Sequence, residues 1–88
     1  LSAEFNDTQL TERQSEVLFY LLRGKTVKQI SKFLCLSPRT VDEHMEHLRH
    51  KFDASNRYEL IDKAITSGFL NIIPPRIFRA QLSIELKD

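Results

Sequence analysis

The chain has 88 residues with nearly balanced charge, 13 Lys and Arg against 12 Asp and Glu, and this length allows one small domain. Its hydrophobic content of 41% exceeds that of disordered tails, and a single cysteine excludes an internal disulfide framework or a cysteine-rich zinc finger. No apolar run approaches the roughly 20 residues that span a bilayer, and no leader peptide opens the chain. We therefore expect a cytoplasmic domain, and because the chain starts at Leu1 we interpret it as the C-terminal part of a longer protein.

The net charge of +1 is unevenly distributed along the chain. Residues 1–22 carry a balance of −3, residues 23–57 carry +4, and residues 58–88 are neutral. Residues 23–41 hold five cations and no anion. The near-neutral total therefore does not exclude a nucleic-acid partner, because the positive charge is concentrated in the middle of the sequence.

The first two predicted helices each begin with a capping box. Residues 11–14 place Thr at the N-cap and Gln three positions later, which predicts a helix to about Arg23 with Gly24 as its left-handed stop. Residues 26–29 repeat the pattern and predict a second, short helix that ends at residue 34 or 35.

Two further helix starts follow. Ser37 as N-cap with Pro38 at the first helical position predicts a third helix to about Phe52. Asn56 opens a fourth helix that ends at Gly68. Four helices joined by short loops predict a compact all-α domain.

Apolar residues recur at helical spacing in all four segments, which predicts that one face of each helix packs into a shared core. The predicted core residues are Val17, Leu18, Leu21 and Leu22, then Ile30, Phe33 and Leu34, then Val41, Met45, Leu48 and Phe52. The fourth helix carries a broader stripe than a small core needs, formed by Leu60, Ile61, Ala64 and Ile65.

The segment after Asn71 is ambiguous. A double proline at residues 74–75 ends any regular element before it. Residues 76–88 fit either a short helix or a strand, since Leu82, Ile84 and Leu86 alternate.

The second and third helices are separated by the three-residue turn 35–37, which is typical of a helix-turn-helix. In that motif the first helix crosses the DNA backbone, and the N-terminal half of the second enters the major groove. Backbone N–H groups and a capping hydroxyl at the start of the second helix attract phosphate.

A resemblance to a known family sharpens this interpretation. Its motifs, in chain order, are residues 10–18, Gly24, residues 28–31, residues 36–37, Thr40 and Val41, His44, residues 51–52, residues 56–57, Ala64 and residues 68–70. With this order and spacing, residues 8–71 resemble the LuxR-type DNA-binding domain, also called NarL/FixJ or GerE. The resemblance implies an all-α, four-helix domain at the C-terminus of a bacterial transcription regulator, with a receiver or ligand-sensing domain upstream. The expected division is an N-terminal linker at 1–10, the LuxR-type helix-turn-helix domain at 11–71 and a C-terminal extension at 72–88.

The same resemblance implies roles for individual residues. The implied phosphate and backbone contacts are Lys28, Ser37, Arg39 and Thr40, and the implied base-reading residues are Asp42, Glu43 and Glu46. Arg49, His50 and Lys51 lie further along the same helix and are candidates for additional phosphate contacts.

Asp42 departs from the family pattern, which often has lysine at this position. Three carboxylates on one face would repel phosphate, although a carboxylate can accept a hydrogen bond from cytosine N4. The alternative is that these acids simply form a solvated helix face.

Three histidines and one cysteine are further candidates for chemistry. His44, His47 and His50 fan across about 120° of the helix rather than converging, so we expect no metal site and instead a pH effect on DNA binding. We interpret Cys35 as a small packing residue.

The fourth helix resembles the dimerisation helix of the family. Tyr58, Ile61 and Ile65 would lie outward and pair two chains, with Leu60 and Ala64 inward. The alternative is that Ile61 and Ile65 pack under the proline-rich tail.

We conclude from the sequence that the chain binds double-stranded DNA sequence-specifically as a homodimer, without cofactor or metal, and that RNA polymerase is a further candidate partner. We expect no enzyme, because the sequence has no P-loop, no glycine-rich fingerprint and no nucleophile with a positioning partner. One alternative is a helical interaction module that has lost DNA binding, and another is a metal-dependent hydrolase that uses the histidines.

Overall fold

The computed structural model describes the backbone of residues 9–87 and the side chains of residues 9–82. Its elements in chain order are α1 (Glu12–Leu22), α2 (Val27–Leu34), α3 (Pro38–Lys51), α4 (Arg57–Thr66), a 3₁₀ turn (Phe69–Asn71) and α5 (Pro75–Lys87). The described residues contain no strand, which confirms the all-α fold class. Most of the predicted linker at 1–10 lies outside the described residues.

The predicted helix boundaries hold to within two residues. Thr11 Oγ1 accepts a hydrogen bond from the Gln14 backbone N–H at 3.1 Å, and Gln14 Oε1 accepts one from the Thr11 N–H at 3.1 Å. Thr26 and Gln29 make the same reciprocal pair at 3.1 and 2.9 Å. Gly24 has a φ of 79°, as its predicted role as a left-handed stop requires.

Cys35 ends α2 in the left-handed conformation, with a φ of 56°. The Leu36 N–H donates to the Ser31 carbonyl at 2.9 Å, and the Cys35 N–H donates to the Lys32 carbonyl at 3.4 Å, which together form a Schellman motif. This turn reverses the chain between α2 and α3 and leaves the Cys35 side chain exposed. The prediction that Cys35 is a packing residue is therefore wrong.

The helices α1 to α4 share one core. Its buried residues are Val17, Leu18, Leu21, Ile30, Val41, Leu48, Phe52, Leu60 and Ala64. All of them lie on the apolar faces that the sequence predicts. Phe33 is the exception among the predicted core residues, because it is 51% exposed and lies instead against the ring of Tyr20, with 4.9 Å between centroids.

The third helix packs against both α1 and α2 through its apolar stripe. Val41 and Leu48 in this stripe have no exposed surface. Deleting a buried leucine side chain costs about 2–5 kcal/mol, so the stripe fixes the orientation of α3 firmly. The polar residues of α3 must then lie on the side away from the core.

A helix begins at the second residue of the double proline, which resolves the ambiguity between helix and strand. Pro74 and Ile77 are buried and attach the first turn of α5 to the domain. Arg76 of α5 approaches Glu16 of α1, with 3.8 Å between Nε and Oε2. No helix within the described residues is long and apolar enough to cross a membrane.

Candidate nucleic-acid interface

The helix-turn-helix presents the first turn of α3 to solvent. Ser37 Oγ accepts a hydrogen bond from the Thr40 N–H at 3.1 Å, and the hydroxyl oxygens of Ser37 and Thr40 share a second hydrogen bond at 2.9 Å. Pro38 occupies the first turn, which contains no acidic residue. Ser37 and Arg39 are exposed and Thr40 is half-buried. The positive end of the helix dipole is therefore accessible to an anion such as a phosphate.

The outward face of α3 carries the three acidic residues that the resemblance implies in base reading. Asp42, Glu43 and Glu46 are all exposed. They lie opposite the buried stripe that contains Val41 and Leu48. The structure thus brings the three carboxylates together on one accessible face, at the position where a recognition helix meets DNA.

Neighbouring cations compensate two of these carboxylates. Arg39 Nε lies 3.8 Å from Glu43 Oε2, and both side chains are mostly exposed. Glu46 lies 3.0 Å from Arg49 Nη1 and 3.5 Å from His50 Nε2. Surface ion pairs of this kind contribute little stability, so their members can exchange partners readily.

Asp42 differs from the other two acids. Its carboxylate makes no hydrogen bond or ion pair within the part of the chain that the structure describes. Asp42 is therefore an acceptor on the recognition face with no internal competitor. The short side chain of aspartate also keeps the carboxylate close to the helix surface.

Three lysines of α2 and of the loop before it have no internal partners among the described residues. Lys25, Lys28 and Lys32 make no hydrogen bond or ion pair through their side chains among residues 9–82. Lys28 and Lys32 lie one turn apart on the same face of α2, and both are exposed. These ammonium groups are available to phosphate.

Two cations near the motif have structural roles instead. Arg23 donates to the carbonyls of Phe19 at 3.1 Å and Leu70 at 3.0 Å, and its guanidinium lies 3.8 Å from the centre of the Phe19 ring. Lys51 donates to the carbonyl of Gln9 at 2.6 Å and to Gln14 Oε1 at 2.9 Å. These contacts hold Arg23 on α1 and the 3₁₀ turn and hold Lys51 on the start of α1. Fewer cations are therefore available to a nucleic acid than the number of Lys and Arg residues in this part of the sequence suggests.

The three histidines occupy different environments. His44 is half-buried, and its Nδ1 is buried without a hydrogen-bond partner. Burial lowers the pKa of His44, the charges of His47 and Arg13 lower it further, and Glu43 opposes them. His47 and His50 are exposed. No cluster of three or more metal-ligating side chains occurs in the described region.

The fourth helix divides its apolar residues between the core and the surface. Leu60 and Ala64 are fully buried, whereas Tyr58 is 78% exposed and Ile65 is 42% exposed. Ile61 is partly buried against the core. Tyr58 and Ile65 therefore remain available to a partner, and Ile61 is shared between the two environments.

Glu16 is a buried charge that sequence reasoning missed. Its side chain is 1% exposed, and its Oε1 accepts a hydrogen bond from Arg13 Nη1 at 2.8 Å. Burial raises the pKa of the neighbouring Tyr20, and the charge of Glu16 adds to the shift. The spacing of Arg13 and Glu16 was the one available signal, because i,i+3 pairs meet on a helix. No comparable sequence pattern indicated that Arg76 of the distant α5 would lie near Glu16.

Comparisons with known proteins agree with this geometry. Residues 8–64 match the family described as bacterial regulatory proteins, luxR family. The chain is 42% identical over 67 residues to the uncharacterized response regulatory protein YgeK of Escherichia coli strain K12, covering 76% of this chain and 46% of that protein. It is 39% identical over 66 residues to the transcriptional activator protein LuxR of Aliivibrio fischeri, covering 75% of this chain and 26% of that protein.

A solved structure is also similar. The VqmA dimer of Vibrio cholerae, described in the absence of its target DNA as a LuxR-type receptor, superposes with a TM-score of 0.80 and 42% identity. The match covers 82% of this chain and 32% of VqmA. The chain thus spans less than half the length of each of these relatives. A helix-turn-helix with an exposed recognition face and a family match over most of the chain lead to one conclusion: the chain belongs to the LuxR family of bacterial regulatory proteins and contains that family's helix-turn-helix DNA-binding domain.

Proposed function

We propose that this chain binds double-stranded DNA sequence-specifically, with α3 in the major groove, as the output domain of a transcription regulator. One observation carries the proposal: the first turn of α3 is open and free of acidic residues, and the lysines of α2 and of the loop before it have no internal partner within the described residues. An accessible helix N-terminus and positive side chains on the preceding helix of the motif are features that bind a phosphate backbone. The similar VqmA structure is described as that of a LuxR-type receptor that has a target DNA, which supports this proposal.

The phosphate contacts would come from both helices of the motif. Lys28 would contact a phosphate from α2, and Ser37, Arg39 and Thr40 would do so from the start of α3. Arg49 and His50 would add contacts from the far end of α3 once Glu46 releases them.

The base contacts would come from the carboxylates of α3. Asp42, Glu43 and Glu46 are exposed acceptors, and in the major groove a carboxylate accepts a hydrogen bond from the amino group of cytosine. The cations paired with Glu43 and Glu46 reduce the repulsion that these acids would exert on phosphate.

The assembly would be a homodimer that pairs through α4. Tyr58 and Ile65 expose apolar surface there and Ile61 adds to it, and two-fold pairing would match a pseudo-palindromic site. In this proposal residues 11–71 form the DNA-binding domain and residues 72–88 an extension. The full-length regulator would be cytoplasmic, would carry a receiver or ligand-sensing domain upstream, would contact RNA polymerase and would have no enzymatic activity.

The acidic face of α3 favours a second candidate, a helical interaction module that has lost DNA binding. Selection of bound duplexes from a random pool, followed by affinity measurements over a range of salt concentrations, separates the two. A DNA-binding domain should enrich a motif, and its affinity should fall with salt at a slope of roughly −0.9 per phosphate neutralised. No enrichment and no binding at low salt would support the interaction module instead.

The variant Lys28→Ala tests the phosphate contacts directly. We expect it to weaken binding to all duplexes about equally and to flatten the salt slope by roughly 0.9, because one phosphate contact is lost. Arg79→Ala is the matched control, since it removes the same charge from an exposed position on α5. A loss confined to one DNA sequence would contradict the assigned role of Lys28.

A further inference from the structure

An open cavity of about 390 Å³ lies between α1, the C-terminal end of α2 and α5. Its volume falls within the range of roughly 300–1,000 Å³ that is usual for small-molecule sites. One wall is formed by α5, which lies beyond the residues 8–64 that match the family. The cavity is thus an addition to the family domain and is not explained by DNA binding.

Part of the cavity wall is apolar and aromatic. Tyr20 and Phe33 line one side, with their ring centroids 4.9 Å apart, and Phe33 keeps half of its surface exposed. Ile77 and Ala80 of α5 line the other side. A large apolar side chain entering between them would remove exposed aromatic surface from water, which is favourable.

The polar lining contains a buried carboxylate that is only half satisfied. Glu16 accepts a hydrogen bond at Oε1 from Arg13, but its Oε2 is buried without a hydrogen-bond partner. Arg76 Nε lies 3.8 Å from that oxygen, which is beyond hydrogen-bond range. A buried acceptor without a donor is unfavourable, so the site favours a ligand that supplies one.

The charges of the lining indicate that a ligand should also carry a negative group. Arg13 and Arg76 face a single carboxylate, Glu16, so one guanidinium charge is left uncompensated among the lining residues. Arg76 is 54% exposed, so part of its guanidinium is accessible to a ligand. A guanidinium in this position pairs best with a carboxylate, through two parallel hydrogen bonds.

We propose that this cavity binds a free α-amino acid with an apolar side chain. The ammonium group donates to Glu16 Oε2, the carboxylate accepts from Arg76, and the side chain lies between Phe33 and Ile77. The ammonium group supplies a donor to the buried acceptor, the carboxylate compensates the guanidinium, and the apolar side chain covers the exposed aromatic wall. The proposal is independent of DNA binding.

Calorimetric titration and amide-resonance mapping of the 88-residue chain with L-phenylalanine and L-leucine test the proposal. We expect saturable binding that shifts the resonances of Tyr20, Phe33 and Ala80. Phenethylamine lacks the carboxylate, 3-phenylpropionate lacks the ammonium and glycine lacks the side chain. Each should bind at least about tenfold more weakly than L-phenylalanine, since each loses one charged hydrogen bond or the apolar contact.

Arg76→Gln should weaken L-phenylalanine binding about tenfold, because it removes the charge that holds the carboxylate. Arg79→Gln, one turn further along α5 and outside the lining, should leave it unchanged. The proposal is overturned if no saturation occurs at about 10 mM ligand, where a millimolar dissociation constant gives near saturation. Equal binding of 3-phenylpropionate, or unchanged binding by Arg76→Gln, would also overturn it.

Discussion

At the scale of single residues, Glu46 forms ion pairs with two basic side chains of α3. It lies within 3.5 Å of both Arg49 and His50, so two basic side chains are held along α3. A phosphate would have to compete with this carboxylate for both of them. If α3 enters the major groove as proposed, Glu46 would restrain non-specific attraction to DNA, and Asp42 on the same face would be free to accept a hydrogen bond from a base.

His44 links the stability of the domain to pH. Its pKa is lowered in the folded chain, chiefly by burial, so the unfolded chain binds a proton at higher pH than the folded chain does. Stability is then greatest above the ordinary histidine pKa of 6.5 and falls as the pH drops below it. We expect urea unfolding to show a lower free energy at pH 5 than at pH 7.5, both round values on either side of that pKa.

Substitution separates His44 from the other histidines. His44→Gln should reduce the loss of stability between these two pH values, whereas the exposed His47→Gln should retain most of it. If both variants kept the full pH dependence, the effect would have to come from other groups.

At the scale of elements, the capping boxes are important for stability because the helices that they begin are short. The second helix has eight residues, and a helix this short is marginal without tertiary contacts and caps. Thr26 satisfies one N–H at its start, and Gln29 satisfies the N–H of Thr26 itself. The exposed Lys28 depends on this turn for its position.

Thr26→Ala should therefore destabilise the domain by about 1 kcal/mol, the usual cost of losing an N-cap side chain. Urea unfolding at neutral pH measures the change. Thr26→Ser is the matched control, because its hydroxyl can still accept from the Gln29 N–H. An equal loss in both variants would show that the methyl group of Thr26, not the cap, provides the stability.

At the scale of the whole molecule, the proposed DNA-binding residues and most exposed apolar residues occupy different stretches of the chain. The unpaired lysines and the three acids on the outward face of α3 lie on α2, α3 and the loop before α2, whereas most exposed large apolar residues follow α3. These residues are Tyr58, Ile65, Leu70, Ile72, Ile73, Phe78 and Leu82. Exposed apolar surface of this extent is typical of protein contacts, so DNA and protein partners would use different parts of the molecule.

Ile65→Lys tests whether α4 pairs two chains. We expect it to weaken self-association in sedimentation equilibrium and to reduce affinity for a two-fold symmetric duplex more than for a half-site, because a lysine charge would enter an apolar interface. Phe78→Lys places the same charge on exposed apolar surface of α5 and should leave self-association unchanged. The opposite result would assign the interface to α5.

Local sequence rules were sufficient for the helices of the family domain. Capping residues and apolar periodicity act within one helix, so Thr11, Thr26, Ser37 and Asn56 could be identified as N-caps without any tertiary information. The same rules predicted the buried stripe of α3 and therefore the exposure of Asp42 and its neighbours. The family resemblance supplied their roles in DNA binding, which stay predictions.

Only the tertiary structure decided which residues of distant segments are in contact. The sequence by itself determined a helix-turn-helix in an all-α domain, because the interactions that define it join residues three or four positions apart. It did not determine that Arg23 and Lys51 are held by backbone carbonyls, that Phe33 lies outside the core, or that the first turn of α5 is attached to the domain through Ile77 and places Arg76 beside the buried Glu16. Those contacts join residues tens of positions apart, and their formation depends on how whole helices pack.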